Sequence, residues 1–231
     1  MSTLLLRLAG PLQAWGVDAK FNRRSTGLMP SKSGVVGLVA SALGRHRDED
    51  LSDLASLLFG VRADQPGAII RDYQTVHEQA FWRNKDGKYA HITERYYLGD
   101  AVFVVGLSGE EELLLQIDSA LQNPRFPLYL GRRSCPPEGR ISLGIREGKS
   151  LLEALGSEPW QASSWFKQRQ RNSIRLEIEM DGEALGPSQR IYFQRDLPLT
   201  FDQRNRRYGF RQVCSTTISL VGGEHDPMQA F

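Results

Sequence analysis

A chain of 231 residues, 40% apolar and 24% charged with a net charge of +2, has the composition of a globular protein with a real core, not of a disordered or collagenous one. No apolar run approaches the ~18 residues a membrane helix needs, Cys135 and Cys214 form no CxxC, and the four histidines are scattered singly, which argues against a membrane span, a disulfide framework and a zinc site. MSTLLLRLAG lacks a basic n-region and reads as a first strand, so the expectation is a reduced, cytoplasmic protein that needs no metal or cofactor.

TLLLRLAG (3–10) is a short apolar run stopped by Gly-Pro, a buried strand. Residues 11–30 have no steady period and read as a long, basic loop carrying aromatics. SKSGVVGLVASALG (31–44) opens on a serine cap and closes on Gly44, a helix, and DEDLSDLASLLFG (48–60) reads as a second, with its leucines on one face. AIIRDYQTVH (68–77) is strand-like. KDGK (85–88) then sets Asp-Gly amid a polar, aromatic stretch, a hairpin signal whose arms are too poor in aliphatics to build a core. AVFVVGLS (101–108) is a buried strand, EEELLLQIDSALQN (110–123) an amphipathic helix with acids at its N-terminal end, and RISLGI (140–145) another strand.

That order predicts an α+β fold, a ferredoxin-like (RRM-like) β-α-β-β-α-β domain over 1–148. The hairpin projects from it at about 77–98, and residues 149–231 form a small β-rich C-terminal appendage.

Charge is unevenly spread. Residues 1–47 sum to +6, 125–140 to +3 and 190–211 to +4, a segregation that suggests a basic face for a polyanion. GIREGKS (144–150) ends like a phosphate loop, but Leu143 stands where its first glycine belongs. RRYGFRQV (206–213) fails the aromatic spacing of an RNA-recognition motif and reads better as a basic edge strand. Tyr73 and His77 could serve acid–base chemistry in a metal-independent ribonuclease, but nothing in their spacing signals a paired site. QAWG, KFNRR, SKSG, FWRNKDGKY, ERYY and LYLGRRS form the better pattern: basic groups for phosphates, aromatics for unpaired bases, amides and hydroxyls for base edges. SKSG adds a helix N-terminus, whose free N–H groups suit a phosphate.

LLLRLAGPLQAWG, SKSGVVGLVASALG, RDYQTV and PLYLGRRSCPP, in this order and spacing over residues 3–145, resemble the CasD family, the type I-E form of CRISPR-associated family five in the RAMP superfamily. The resemblance implies a non-catalytic subunit of a Cascade complex. Such a subunit caps the 5′ handle of CRISPR RNA, joins backbone to large subunit, and meets target DNA only through the complex. The hairpin would be its thumb. The family's glycine-arginine loop falls on Gly131, Arg132 and Arg133, flanked by Tyr129 and Ser134. Its RNA-facing N-terminal loop falls on Gln13, Trp15, Lys20, Arg23 and Arg24, and its helix-start motif on Ser31, Lys32 and Ser33. Tyr73, His77, Arg95 and Tyr97 complete the expected RNA-binding set. The rival reading is an endoribonuclease that processes CRISPR repeat RNA with Tyr73 or His77.

Overall fold

A computed structural model describes residues 2–16, 22–77, 90–170, 174–184 and 191–220. Strand β1 (Ser2–Ala9) is buried at every residue but Arg7. Leu4, Leu6 and Leu8 enter one core cluster and Leu5 another, so the strand is covered on both faces and reads as an unbroken apolar run. Two short strands follow, β2 (Leu12–Gln13) and β3 (Arg23–Arg24). Helix α1 (Lys32–Leu43) starts at Ser31, whose hydroxyl accepts the Gly34 N–H, and stops at Gly44 in the left-handed conformation.

The expected helix over 48–60 contracts to α2 (Ser52–Ser56), and Leu58–Gln65 is instead strand β4. β5 (Ala68–His77) pairs antiparallel with β6 (Ala90–Gly99) along its whole length, from Ala68 opposite Gly99 to His77 opposite Ala90. The paired arms therefore begin at Ala68, earlier than the sequence suggests. The Asp-Gly tip lies outside the described residues. β7 (Val102–Gly109), α3 (Glu111–Gln122) and β8 (Ser142–Arg146) follow as expected.

α4 (Leu151–Ser157) carries a reciprocal cap between Ser150 and Glu153 and leads to α5 (Ser164–Arg169). β9 (Ile174–Asp181), a short 3-10 turn at Gly182–Ala184, β10 (Ile191–Thr200) and β11 (Arg207–Leu220) complete the described chain.

Seven strands form one antiparallel sheet in the order β10-β11-β9-β4-β7-β1-β8. α1 links β1 to β4 through α2, and α3 links β7 to β8. The residues after 149 extend this sheet, since β9 pairs directly with β4. α1 and α3 cover one face with Val35, Leu38, Val39, Leu114 and Ile117, and α4 covers the other with Leu151, Ala154 and Leu155. β5 and β6 belong to a second sheet, in which β6 also pairs with β2 and, in parallel, with β3.

The sequence conceals β4 because Arg62, Asp64 and Gln65 interrupt its apolar pattern. Arg62 is fully buried beside Asp64, and its guanidinium also donates to the carbonyls of Leu155, Glu158 and Pro159. A polar side chain so paired can occupy a core position.

Candidate nucleic-acid interface

The stretch Leu128–Pro137 folds back on itself: Leu130 N–H donates to the Cys135 carbonyl (2.7 Å) and Cys135 N–H to that of Arg132 (2.9 Å). Leu130 and Cys135 are buried as anchors, while Gly131, Arg133 and Ser134 are exposed. Gly131 has φ +83°, and a Cβ there would sit 1.8 Å from the Ala14 carbonyl oxygen. Only glycine lets the loop lie this close to the chain after β2.

The two arginines of the loop have different surroundings. Arg132 donates to the carbonyls of Tyr96 (3.1 Å), Arg24 (3.0 Å) and Ser25 (3.2 Å). It fastens the loop to β6 and to the strap around β3. Arg133 is exposed and makes no hydrogen bond or ion pair among the described residues. Burial pushes the Cys135 thiol above its ordinary pKa, with hydrogen bonding from Ser134 and the nearby Arg132 opposing the shift, so this cysteine is a packing residue and a poor nucleophile.

Beside this loop run two adjoining clefts of about 980 and about 450 Å³, which share Ser41, Arg45, His46, Arg47 and Tyr129. Ser33, Gly34, Gly37 and Ser41, spaced along one side of α1, line the smaller cleft. The 126–133 loop lines one side, with Phe126, Tyr129 and Arg133. The turn between β10 and β11 lines another, with Phe201, Arg204 and Arg206. Arg24, Arg47, Arg133, Arg204 and Arg206 bring exposed positive charge to these clefts against Asp48 and Asp202. Arg45 is already engaged by Asp53, whose hydrogen bonds hold the guanidinium above its ordinary pKa despite partial burial. Half-buried Tyr129 lines both clefts, and Phe126 meets His46 edge to face.

Several expected contact residues have other duties. Gln13 is fully buried. Its Nε2 donates to the carbonyls of Leu8 (3.1 Å) and Ala101 (2.8 Å), and its Oε1 accepts the Trp15 indole N–H (3.0 Å). Trp15 is a core residue whose ring packs against Gly34, where a Cβ would come within 2.8 Å of it. Tyr97 is buried beneath Arg132, so it offers no open face to a base.

Ser31 is buried as the cap of α1, and the Lys32 N–H already donates to Asp196 (2.8 Å). The Lys32 ammonium pairs with Asp181 (3.1 Å). The start of α1 is therefore neutralised by a carboxylate from β10, not open to a phosphate.

The remaining expectations divide. Arg24, Ser33, Tyr129, Gly131, Arg132 and Arg133 converge on the clefts, while Ser134 stays exposed on the adjoining loop. Arg23 lies on β3 over the Tyr96 ring, 5.3 Å from its centroid. Arg95 is half-buried on β6, its Nε buried without a hydrogen-bond partner. Tyr73 is exposed on β5 beneath Arg71. Lys20 and the His77 side chain lie outside the described residues. Sequence reasoning missed Arg47, Phe126, Arg204 and Arg206; the local excess of positive charge at 190–211 was the one signal for the last two.

Comparison with known proteins agrees with this architecture. Residues 3–214 match the family model described as CRISPR-associated protein (Cas_Cas5). The chain is 36% identical over 169 residues to the CRISPR system Cascade subunit CasD of Escherichia coli (strain K12), covering 67% of this chain and 75% of that protein. A chain of a CRISPR RNA-guided surveillance complex superposes with a TM-score of 0.76 at 31% identity, covering 95% of this chain and 91% of that one. A second structure, of a Cas protein, superposes with a TM-score of 0.69 at 38% identity and 95% coverage of both chains. The chain belongs to the CRISPR-associated Cas5 family.

Proposed function

We propose that this protein is a non-catalytic, RNA-binding subunit of a Cascade-type surveillance complex that holds the 5′ handle of CRISPR RNA and joins backbone to large subunit. The observation that carries the reading is the pair of basic walls: exposed Arg133 on the 126–133 loop and exposed Arg204 and Arg206 on the β10–β11 turn, with α1 between them. Spaced guanidinium groups around half-buried Tyr129 suit a bent single strand, with phosphates on the arginines and a base against the ring. Gly131 and Arg132 act indirectly, by fixing where Arg133 stands.

The ferredoxin-like reading of 1–148 is supported by the strand order β8-β1-β7-β4, which interleaves two strand–helix–strand units. The paired arms β5 and β6 are the candidate thumb, and Tyr73 and Arg95 on the arms, with Arg23 on the adjoining β3, are the candidate contacts with the guide. A cytoplasmic location follows from the same reading.

RNA crosslinking of the assembled complex, mapped to peptides, tests this assignment. Crosslinks are expected in 126–134 and 201–208, and their absence from both would set it aside. Incubation of the pure protein with repeat RNA in EDTA tests the non-catalytic role. Site-specific cleavage that is lost in His77→Ala would overturn it.

A further inference from the structure

Among the described residues, nothing covers one face of the seven-stranded sheet at its outer end. α4 covers that face over Leu5, Val104, Ile178 and Met180 and reaches Cys214 on β11. Beyond it the face continues onto β10. Ile191 stands opposite Cys214 and Phe193 opposite Gln212, so both share the Cys214 side, as does Phe210, two residues before Gln212. Phe193 and Phe210 are 67% and 66% exposed, and Ile191 is 51% exposed. On the opposite face of these strands Asp196 and Arg211 are buried in ion pairs.

β10 is also the last strand of its sheet, so its outer edge is unpaired among the described residues. An unpaired strand edge beginning with the apolar run Ile191–Phe193 is a template for another strand, and folded proteins ordinarily shield one. The exposed charges on β10 and β11 are Arg195 and Arg207, both positive, because Asp196 is buried. Arg195 lies 5.9 Å from the Phe210 ring centroid, at the rim of the apolar patch.

We infer that this end of the sheet docks a second protein chain, an extended segment that adds to β10 as a new edge strand. Its apolar side chains alternate to meet Ile191 and Phe193, with Phe210 behind them on β11, and an acidic residue faces Arg195 at the rim of the patch. Main-chain hydrogen bonds supply the pairing and the alternating side chains the selectivity. The regular register runs from Ile191 to Gln194 and breaks before Leu197, and Pro198 lacks an N–H, so the added strand pairs chiefly with Ile191–Gln194. An aliphatic residue within the patch and a free backbone edge favour polypeptide over nucleic acid. Of the arginines that line the clefts, those of this hairpin, Arg204 and Arg206, lie at its turn, apart from Ile191 and Phe193.

The test uses the complex purified with its companion subunits and guide RNA. Phe193→Asp with Phe210→Asp, both at solvent-exposed positions, is expected to lower retention of this chain at least tenfold. Its melting temperature and its RNA crosslinks at 126–134 should stay unchanged. Arg195→Glu, a surface reversal outside the core, is expected to weaken retention in the same direction and to lessen its dependence on salt. Unchanged retention in both variants would overturn the inference. Loss of RNA crosslinks from the patch with protein contacts intact would make it a nucleic-acid platform instead. A dimer of the isolated chain that the double variant abolishes would make it a self-association face.

Discussion

The guanidinium of Arg132 lies over the ring of Tyr97, 4.8 Å from its centroid, while its N–H groups reach the carbonyls of Tyr96, Arg24 and Ser25. One side chain thus joins the glycine-arginine loop, strand β6 and the strap at β3. Arg132→Ala should destabilise the fold by on the order of 2 kcal/mol, since a hydrogen bond from a charged donor contributes roughly 1.5–3 kcal/mol and solvent recovers part of the loss. Arg133→Ala should leave stability unchanged. Denaturant titration of the two variants separates the roles.

Gly131→Ala should be more damaging than its size suggests. The added Cβ would strike the Ala14 carbonyl, and the left-handed φ costs a non-glycine residue roughly 1–3 kcal/mol before that clash is counted. The expected outcome is a lowered melting temperature together with weakened RNA binding, because Arg133 is displaced with the loop.

A buried ion network ties α1 to the C-terminal strands. Asp181 accepts from Lys32 (3.1 Å), Arg211 (2.8 Å) and the Phe59 N–H (2.9 Å), and Asp196 accepts from Arg211 (2.7 Å) and the Lys32 N–H (2.8 Å). Asp181→Ala leaves two buried cations short of a partner and should cost about 3–5 kcal/mol. Asp196→Ala should act in the same direction and also leave the Lys32 N–H at the start of α1 without its acceptor. Equilibrium unfolding measures both, and a change below about 1 kcal/mol would contradict the network's structural role.

Both cysteines should be inert in the native protein. Cys135 and Cys214 are buried, and burial raises both thiol pKa values, so little thiolate forms near neutral pH. Iodoacetamide at pH 7 should modify neither in buffer and both in denaturant, read by mass spectrometry.

The sequence was most legible where burial is two-sided or strictly amphipathic. β1, α1, β7 and α3 were visible as apolar runs or as a helical stripe with recognisable caps. β4 was hidden because an internal Arg62–Asp64 pair imitates a surface pattern, and no local signal announces the carbonyls near residue 155 that satisfy it. The basic, aromatic character of the candidate site is legible in the sequence, but its membership residue by residue is not. Gln13 and Trp15 look like nucleic-acid contacts in a basic loop, yet the groups that bury them, Ala101 and Gly34, come from other elements. The second basic wall was visible only as net charge at 190–211, because nothing local brings the β10–β11 turn to α1. The Asp196 and Asp181 contacts to Lys32 do so in the folded chain.

The most direct test of the RNA-holding role is the salt dependence of handle-RNA binding for the wild type and for the combined Arg133→Ala, Arg204→Ala, Arg206→Ala variant. Each lost phosphate contact to a single strand should lower the slope of log K against log salt by about 0.7, so three should lower it by about 2. A folded variant with a slope reduced by about that amount is the predicted result. A folded variant that binds with the wild-type slope would contradict the assignment of these two walls to RNA.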